Sequence, residues 1–92
     1  MEELLGIREL SKLKWRCRRG LLENDLFIER FFLRFEQTLT TRQASGLLAL
    51  MDLPDNDLLD LLLVRKEPDG VADLIDSPAL REVLAQMRNR PN

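Results

Sequence analysis

All four phenylalanines of this chain lie between Phe27 and Phe35, with Ile28 among them. A strand would split Phe27, Phe31 and Phe35 from Ile28 and Phe32 onto opposite faces, whereas a helix keeps all five within one arc. Fully burying one such side chain contributes about 1.5–3 kcal/mol, so this helix is the expected centre of whatever core the chain forms. It is predicted over about Leu22 to Thr38, with Glu23 and Asp25 suiting the positive end of its dipole. Its buried face is expected to be Leu21, Phe27, Ile28, Phe31, Phe35 and Leu39, with Phe32 at one edge.

The rest of the chain follows the same periodicity. Ile7, Leu10, Leu13 and Cys17 predict a first helix over about Ile7 to Arg18, behind a leader of residues 1–7 with an uncertain helical extension. Gly20 then favours a turn, because glycine is costly inside a helix and suited to its end. Thr40-Thr41-Arg42-Gln43 reads as a capping box and predicts a helix from Thr41 to about Met51, burying Ala44, Leu47, Leu48 and Met51. Pro54-Asp55-Asn56-Asp57 ends that helix and opens a short one with Leu58, Leu61 and Leu62 buried and Leu59 and Leu63 flanking. Glu67-Pro68-Asp69-Gly70 reads as a turn. Ser77-Pro78 caps a last helix that buries Leu80, Val83, Leu84 and Met87; the placement of Val71 to Ile75 is open. Arg88 to Asn92 are expected to fray as a polar tail. The fold class is therefore all-α, a compact bundle of about five short helices in a single domain over 1–92.

Charge is unevenly distributed along the sequence. Between Arg8 and Arg19 stand six basic residues and one acidic, while between Asp52 and Asp76 stand eight acidic and two basic. The sequence leaves open whether the fold shows two faces of opposite sign or neutralises them. The net charge of -2 argues against a nucleic-acid partner, including a helix-turn-helix reader built on the Lys12 to Arg19 run. The longest apolar run, Leu61 to Val64, is too short to cross a bilayer. One cysteine excludes an internal disulfide and fits a reducing compartment, and the start lacks the character of a targeting peptide, so a bacterial cytoplasmic protein is expected.

The catalytic inventory is thin. With no histidine and no tyrosine, acid–base chemistry would fall to carboxylates, lysines or Cys17. Cys17 stands between Arg16 and Arg18, which favours a thiolate, yet it also falls on the apolar stripe, where a cysteine acts as a small hydrophobe; the core role is the expectation. No glycine-rich phosphate loop or metal-ligand cluster is present in the sequence. Trp15 points away from the apolar stripe, so it is either an exposed interface anchor or a side chain folded over a second neighbour. Arg19 and Glu23, four apart across Gly20, read on spacing alone first as a surface ion pair and only second as a docking turn that a partner's backbone can approach.

The wider string decides between these readings. Trp15-Arg16-Cys17-Arg18-Arg19-Gly20-Leu21-Leu22-Glu23-Asn24-Asp25, then Phe31-Phe32, then Leu47 to Leu58, resembles the SdhE family, also called succinate dehydrogenase assembly factor 2, with its RGxxE motif. The similarity runs from about Arg8 to Arg90; Met1 to Ile7 lie outside it. The resemblance places the motif on Arg19, Gly20 and Glu23, with Asp25 trailing and Arg18, Trp15 and Arg16 beside it as partner-binding residues. It implies an assembly factor with no catalytic residues and no stably bound cofactor, acting on FAD held by a partner. The partner implied is the flavoprotein subunit of succinate dehydrogenase, with fumarate reductase as a further one, and this protein as a monomer. An antitoxin countering a toxin of cytoskeletal polymers is the alternative job for the same fold.

Overall fold

The computed structural model describes residues 3–18, 21–71 and 77–88. Five α-helices are present among them: α1 (Ile7–Arg16), α2 (Leu22–Phe35), α3 (Thr41–Met51), α4 (Asp55–Leu62) and α5 (Pro78–Arg88), with a 3-10 turn over Pro68–Gly70. The all-α expectation holds. Arg19, Gly20, most of the open Val71 to Ile75 stretch and the last four residues lie outside the described residues.

Local sequence explains most boundaries. The Thr40 hydroxyl accepts from the Gln43 amide (3.1 Å) and the Gln43 side chain accepts from the Thr40 amide (3.0 Å), completing the predicted capping box of α3. The Ser77 hydroxyl accepts from the Leu80 amide (3.1 Å) at the start of α5. α2 ends at Phe35, one turn earlier than expected, because the Thr38 amide and hydroxyl both donate to the Phe35 carbonyl and close the chain into a turn. The leader does not extend α1. Residues 3–5 run extended, with an isolated antiparallel bridge between Leu4 and Thr40 and the Leu5 amide donating to the Leu39 carbonyl (3.0 Å).

The core is built on Phe31, Leu39, Leu47, Leu50, Leu58, Leu61, Leu80 and Val83, each essentially inaccessible to solvent. Leu58, Leu61 and Leu62 of α4 are buried as the spacing requires. Several expectations are corrected. Ile7 is 88% exposed, since α1 seats on the core only through Leu10, Leu13 and Cys17. Phe32 is buried and Phe35 only half-buried, the reverse of their expected standing, because α1 lies over the Phe32 flank of α2 and places the Lys14 ammonium 5.8 Å from its ring centroid. On α3, Leu50 is buried and Leu48 half-buried. Gly46 is the cause: a Cβ there would stand 2.6 Å from the Ala79 carbonyl carbon, so the missing side chain lets the α5 backbone close on the flank that carries Leu50.

α3 packs most extensively against α5, and polar contacts clasp the pair at one end. Arg42 and Gln43 donate to the two oxygens of Glu82 (2.6 and 2.9 Å). These hydrogen bonds, that of Arg42 first, hold the Glu82 carboxyl below its ordinary range. Arg88 does not belong to a fraying tail. Its guanidinium donates to the Leu61 carbonyl (2.7 Å), the Lys66 carbonyl (3.0 Å) and the Glu67 carboxylate (3.3 Å), fastening the end of α5 to the end of α4.

α4 stops in a strained way. The Arg65 amide reaches back to the Asp60 carbonyl (2.8 Å) and the Val64 amide to Leu61 (3.2 Å), the bonding of a Schellman stop, and Val64 takes φ 61° in the position that favours glycine. A β-branched residue in the left-handed region costs roughly 1–2 kcal/mol, and Val64, 58% exposed, recovers little by burial. Val64→Gly is therefore expected to stabilise the protein by about 1 kcal/mol, read as a higher urea midpoint at unchanged slope. A lower midpoint would show that the side chain contributes more than its conformation costs.

Candidate functional site

The described residues of the predicted docking segment gather where α1 ends and α2 begins. α1 is stopped at Arg16, two residues before the expected end, when the Cys17 amide donates to both Leu13 (3.0 Å) and Lys14 (3.3 Å) and the Arg18 amide to Trp15 (3.3 Å). Tightening of this kind is common at helix ends. It turns Cys17 fully inward and leaves Trp15 and Arg18 outside. Cys17 is thus the small core residue the apolar stripe implies.

Trp15 is 70% exposed, which settles its two readings in favour of the outward one. The Arg18 guanidinium lies 5.2 Å from the indole centroid, a cation–π geometry between two exposed side chains. Arg16 is exposed, and no ion pair engages it among the described residues. Glu23 is exposed in the first turn of α2 and likewise has no ion-pair partner among the described residues. Asp25 is half-buried in the same turn. Arg19 and Gly20 lie outside the described residues; of the rest, the structure joins Trp15 to Arg18 and Arg18 to Asp25, while Arg16 and Glu23 are exposed on α1 and α2.

Between α1 and α2 runs an open groove of about 450 Å³. Cys17, Ile28 and Phe32 contribute to its floor, and Arg18 and Asp25 line it together, joining two residues that the sequence places seven apart. Lys14 and Glu36 form a salt bridge within the same lining.

Two features escaped sequence reasoning. Leu22, Leu26 and Leu33 form an exposed apolar stripe along α2, with exposures of 68, 42 and 76%. Their spacing of four and seven residues marks a second helical face, which the dense phenylalanine face obscured. The other is Asn24, wholly buried within the motif itself. Its amide nitrogen donates to the Asp55 carbonyl (3.1 Å) and to the Asp55 carboxylate (3.3 Å), tying the first turn of α2 to the first turn of α4. An asparagine between two acidic residues gives no signal of burial in a linear sequence.

No group of three or more histidine, cysteine or acidic side chains that could hold a metal ion occurs among the described residues. No described helix is long and apolar enough to cross a membrane. What the corner offers is binding chemistry: an aromatic side chain, cations, an exposed carboxylate and apolar side chains.

The chain resembles known proteins over most of its length. Residues 11–90 match the family model Sdh5, described as the flavinator of succinate dehydrogenase. The FAD assembly factor SdhE of Ralstonia nicotianae is 53% identical over 78 residues, covering 85% of this chain and 79% of that protein. The FAD assembly factor SdhE of Coxiella burnetii is 40% identical over 60 residues, 65% of this chain and 73% of that one. The corresponding protein of Legionella pneumophila (strain Lens) is 37% identical over 62 residues, 67% and 78%. No solved structure matches the chain.

Proposed function

The chain belongs to the family of flavinators of succinate dehydrogenase, and from that premise we propose that it promotes covalent attachment of FAD to the flavoprotein subunit by docking on that subunit before it matures. The corner of α1 and α2 is the docking surface. The observation that carries this reading is that Trp15, Arg16, Leu22 and Glu23 are exposed while Cys17 and Asn24 of the same segment are buried and anchor it to the core.

The mechanism assigned to it is positional rather than chemical. The chain contains no histidine and no tyrosine, and the acid–base groups of the corner are surface carboxylates and cations. The reacting groups, a flavoprotein side chain and the flavin, then belong to the partner, and this protein binds no cofactor of its own stably. Holding two reacting groups in a near-attack geometry can supply several kcal/mol of a barrier, which is the contribution a docked helper makes. Trp15 and Arg18 provide a rigid aromatic and cationic plate, Leu22 and Leu26 an apolar contact, and Glu23 an acceptor for a donor on the partner. Glycine at position 20 carries no side chain to hinder the approach of a partner's backbone. The flavoprotein of fumarate reductase, which carries out the reverse oxidation–reduction, is a further expected client.

The test is co-expression of the flavoprotein subunit with this chain, with Glu23→Ala, with Gly20→Arg, or with no helper. Covalent flavin is read by in-gel fluorescence under denaturing conditions. The expected result is full signal with the unmodified chain and at least a tenfold loss with either variant, approaching the helper-free level, as for removal of a central interface contact. Full signal with both variants, against a clear loss without the helper, would remove the turn from the mechanism. Equal signal with and without the helper would remove the function.

A further inference from the structure

Folding resolves the charge asymmetry of the sequence unequally. Four of the eight acids of the acidic stretch meet cations of the same stretch or of α5: Asp57 and Asp60 face Lys66 (3.9 and 3.7 Å), Asp60 faces Arg65 (3.8 Å), Asp69 faces Arg81 (2.8 Å) and Glu67 faces Arg88 (3.3 Å). None of these cations comes from α1. On α1, Lys14 pairs with Glu36, whereas Arg8, Lys12 and Arg16 have no ion pair or side-chain hydrogen bond among the described residues.

Arg8, Lys12 and Trp15 stand at i, i+4 and i+7, which places them on one face of α1. All three are exposed, and the helix buries Leu13 and Cys17 on the other side. A chain with a net charge of -2 thus keeps, among the described residues, a basic stripe without ion-pair partners beside its docking corner.

We propose that this outward face of α1, Arg8 and Lys12 running into Trp15 and Arg16, is an electrostatic landing surface for a carboxylate-rich patch on the flavoprotein. The proposal rests on the functional reading above and adds to it the chemistry of the partner's surface and two residues outside the motif. Its contribution is to the rate of encounter, because exposed charges steer approach over about a Debye length and add little to the final contact energy.

A protein occupant fits better than the other polyanions. The apolar residues of α1 face its own core, leaving Trp15 and Ile7 outside, so the helix has no continuous apolar face to sink into a lipid headgroup layer. A nucleic acid meets the whole molecule as a uniform polyanion, and this chain is net negative. A local acidic patch on a protein meets only the stripe.

The test measures association of the purified flavoprotein subunit with the full chain at low and high salt. It compares Lys12→Glu with Arg30→Glu, an equal charge change at an exposed α2 position outside the groove lining. The expected result is an association rate about fivefold lower for Lys12→Glu at low salt, with a weaker salt dependence, and a change of less than about twofold for Arg30→Glu. Matching thermal midpoints confirm that both variants fold. Equal losses for the two variants, or no loss for Lys12→Glu, would overturn the proposal while leaving the docking turn intact. Tighter binding of the unmodified chain to phosphatidylglycerol vesicles or to duplex DNA than to the flavoprotein would overturn it in favour of that occupant. If the unmodified chain does not bind the flavoprotein at all, the functional reading fails and the landing surface with it.

Discussion

Asn24→Asp is expected to destabilise the protein by about 3 kcal/mol at neutral pH, the scale of an uncompensated buried charge. The substitution is isosteric, so packing is unchanged and the effect is electrical. It replaces the amide nitrogen that donates to Asp55 with an acceptor, 3.3 Å from the Asp55 carboxylate, at a position with no solvent exposure. Two carboxylates at that distance cannot both stay ionised at low cost, and burial raises the introduced group's pKa further. A group whose pKa is raised on folding destabilises above that pKa and ceases to do so as pH falls below the value for the unfolded chain. The loss should therefore be largest at pH 7 and shrink as the pH is lowered toward 4, read from urea midpoints of variant and parent at each pH. A pH-independent loss would indicate altered packing instead. The same variant loosens the first turn of α2 against α4, so the flavin attachment we propose to depend on Glu23 should fall with it.

Gly46→Ala is expected to cost about 2 kcal/mol, which for a domain of this size lowers the thermal midpoint by roughly 10 °C. Helix propensity alone predicts the opposite, since alanine in a helix interior is favoured over glycine by about 1 kcal/mol. The geometry decides the sign. The added Cβ would lie 2.6 Å from the Ala79 carbonyl carbon and 2.7 Å from the Ala79 oxygen and Leu80 nitrogen. These are backbone atoms of α5, which cannot rotate away as a side chain does. Relief requires α3 and α5 to separate, loosening the packing around Leu47, Leu50 and Leu80 as well as the Glu82 clasp. A stabilised Gly46→Ala variant would mean that the two helices sit further apart than described. Together with the gain expected for Val64→Gly, the pair separates two roles of backbone freedom: one position needs glycine for space, the other lacks it for conformation.

Much of the architecture could be read from the chain because it is set by local chemistry. The capping box at Thr40 and Gln43, the Ser77-Pro78 start of α5 and the leucine spacing of α4 each depend on residues within one or two turns of one another. The function was legible for a different reason. The string from Trp15 to Asp25 is contiguous, and the lack of histidine and tyrosine is a property of composition alone.

What depended on distant residues was not legible. Phe32 and Phe35 exchanged their expected standings because α1 covers one flank of α2, and Leu50 became core because Gly46 admits α5. Arg88 belongs to the core frame since it meets carbonyls 22 and 27 residues away. The burial of Asn24 depends on Asp55, 31 residues further on. Periodicity shows that a residue has a face but not which neighbour will occupy it, and charge counts show an imbalance but not which ions will meet. The sequence by itself therefore determined the helices, the caps at Thr40 and Ser77 and the family to which the chain belongs. Only the tertiary structure decided that Asp57, Asp60, Glu67 and Asp69 would meet cations from outside α1 while Arg8, Lys12 and Arg16 meet no acid among the described residues, because ion pairing follows proximity in space.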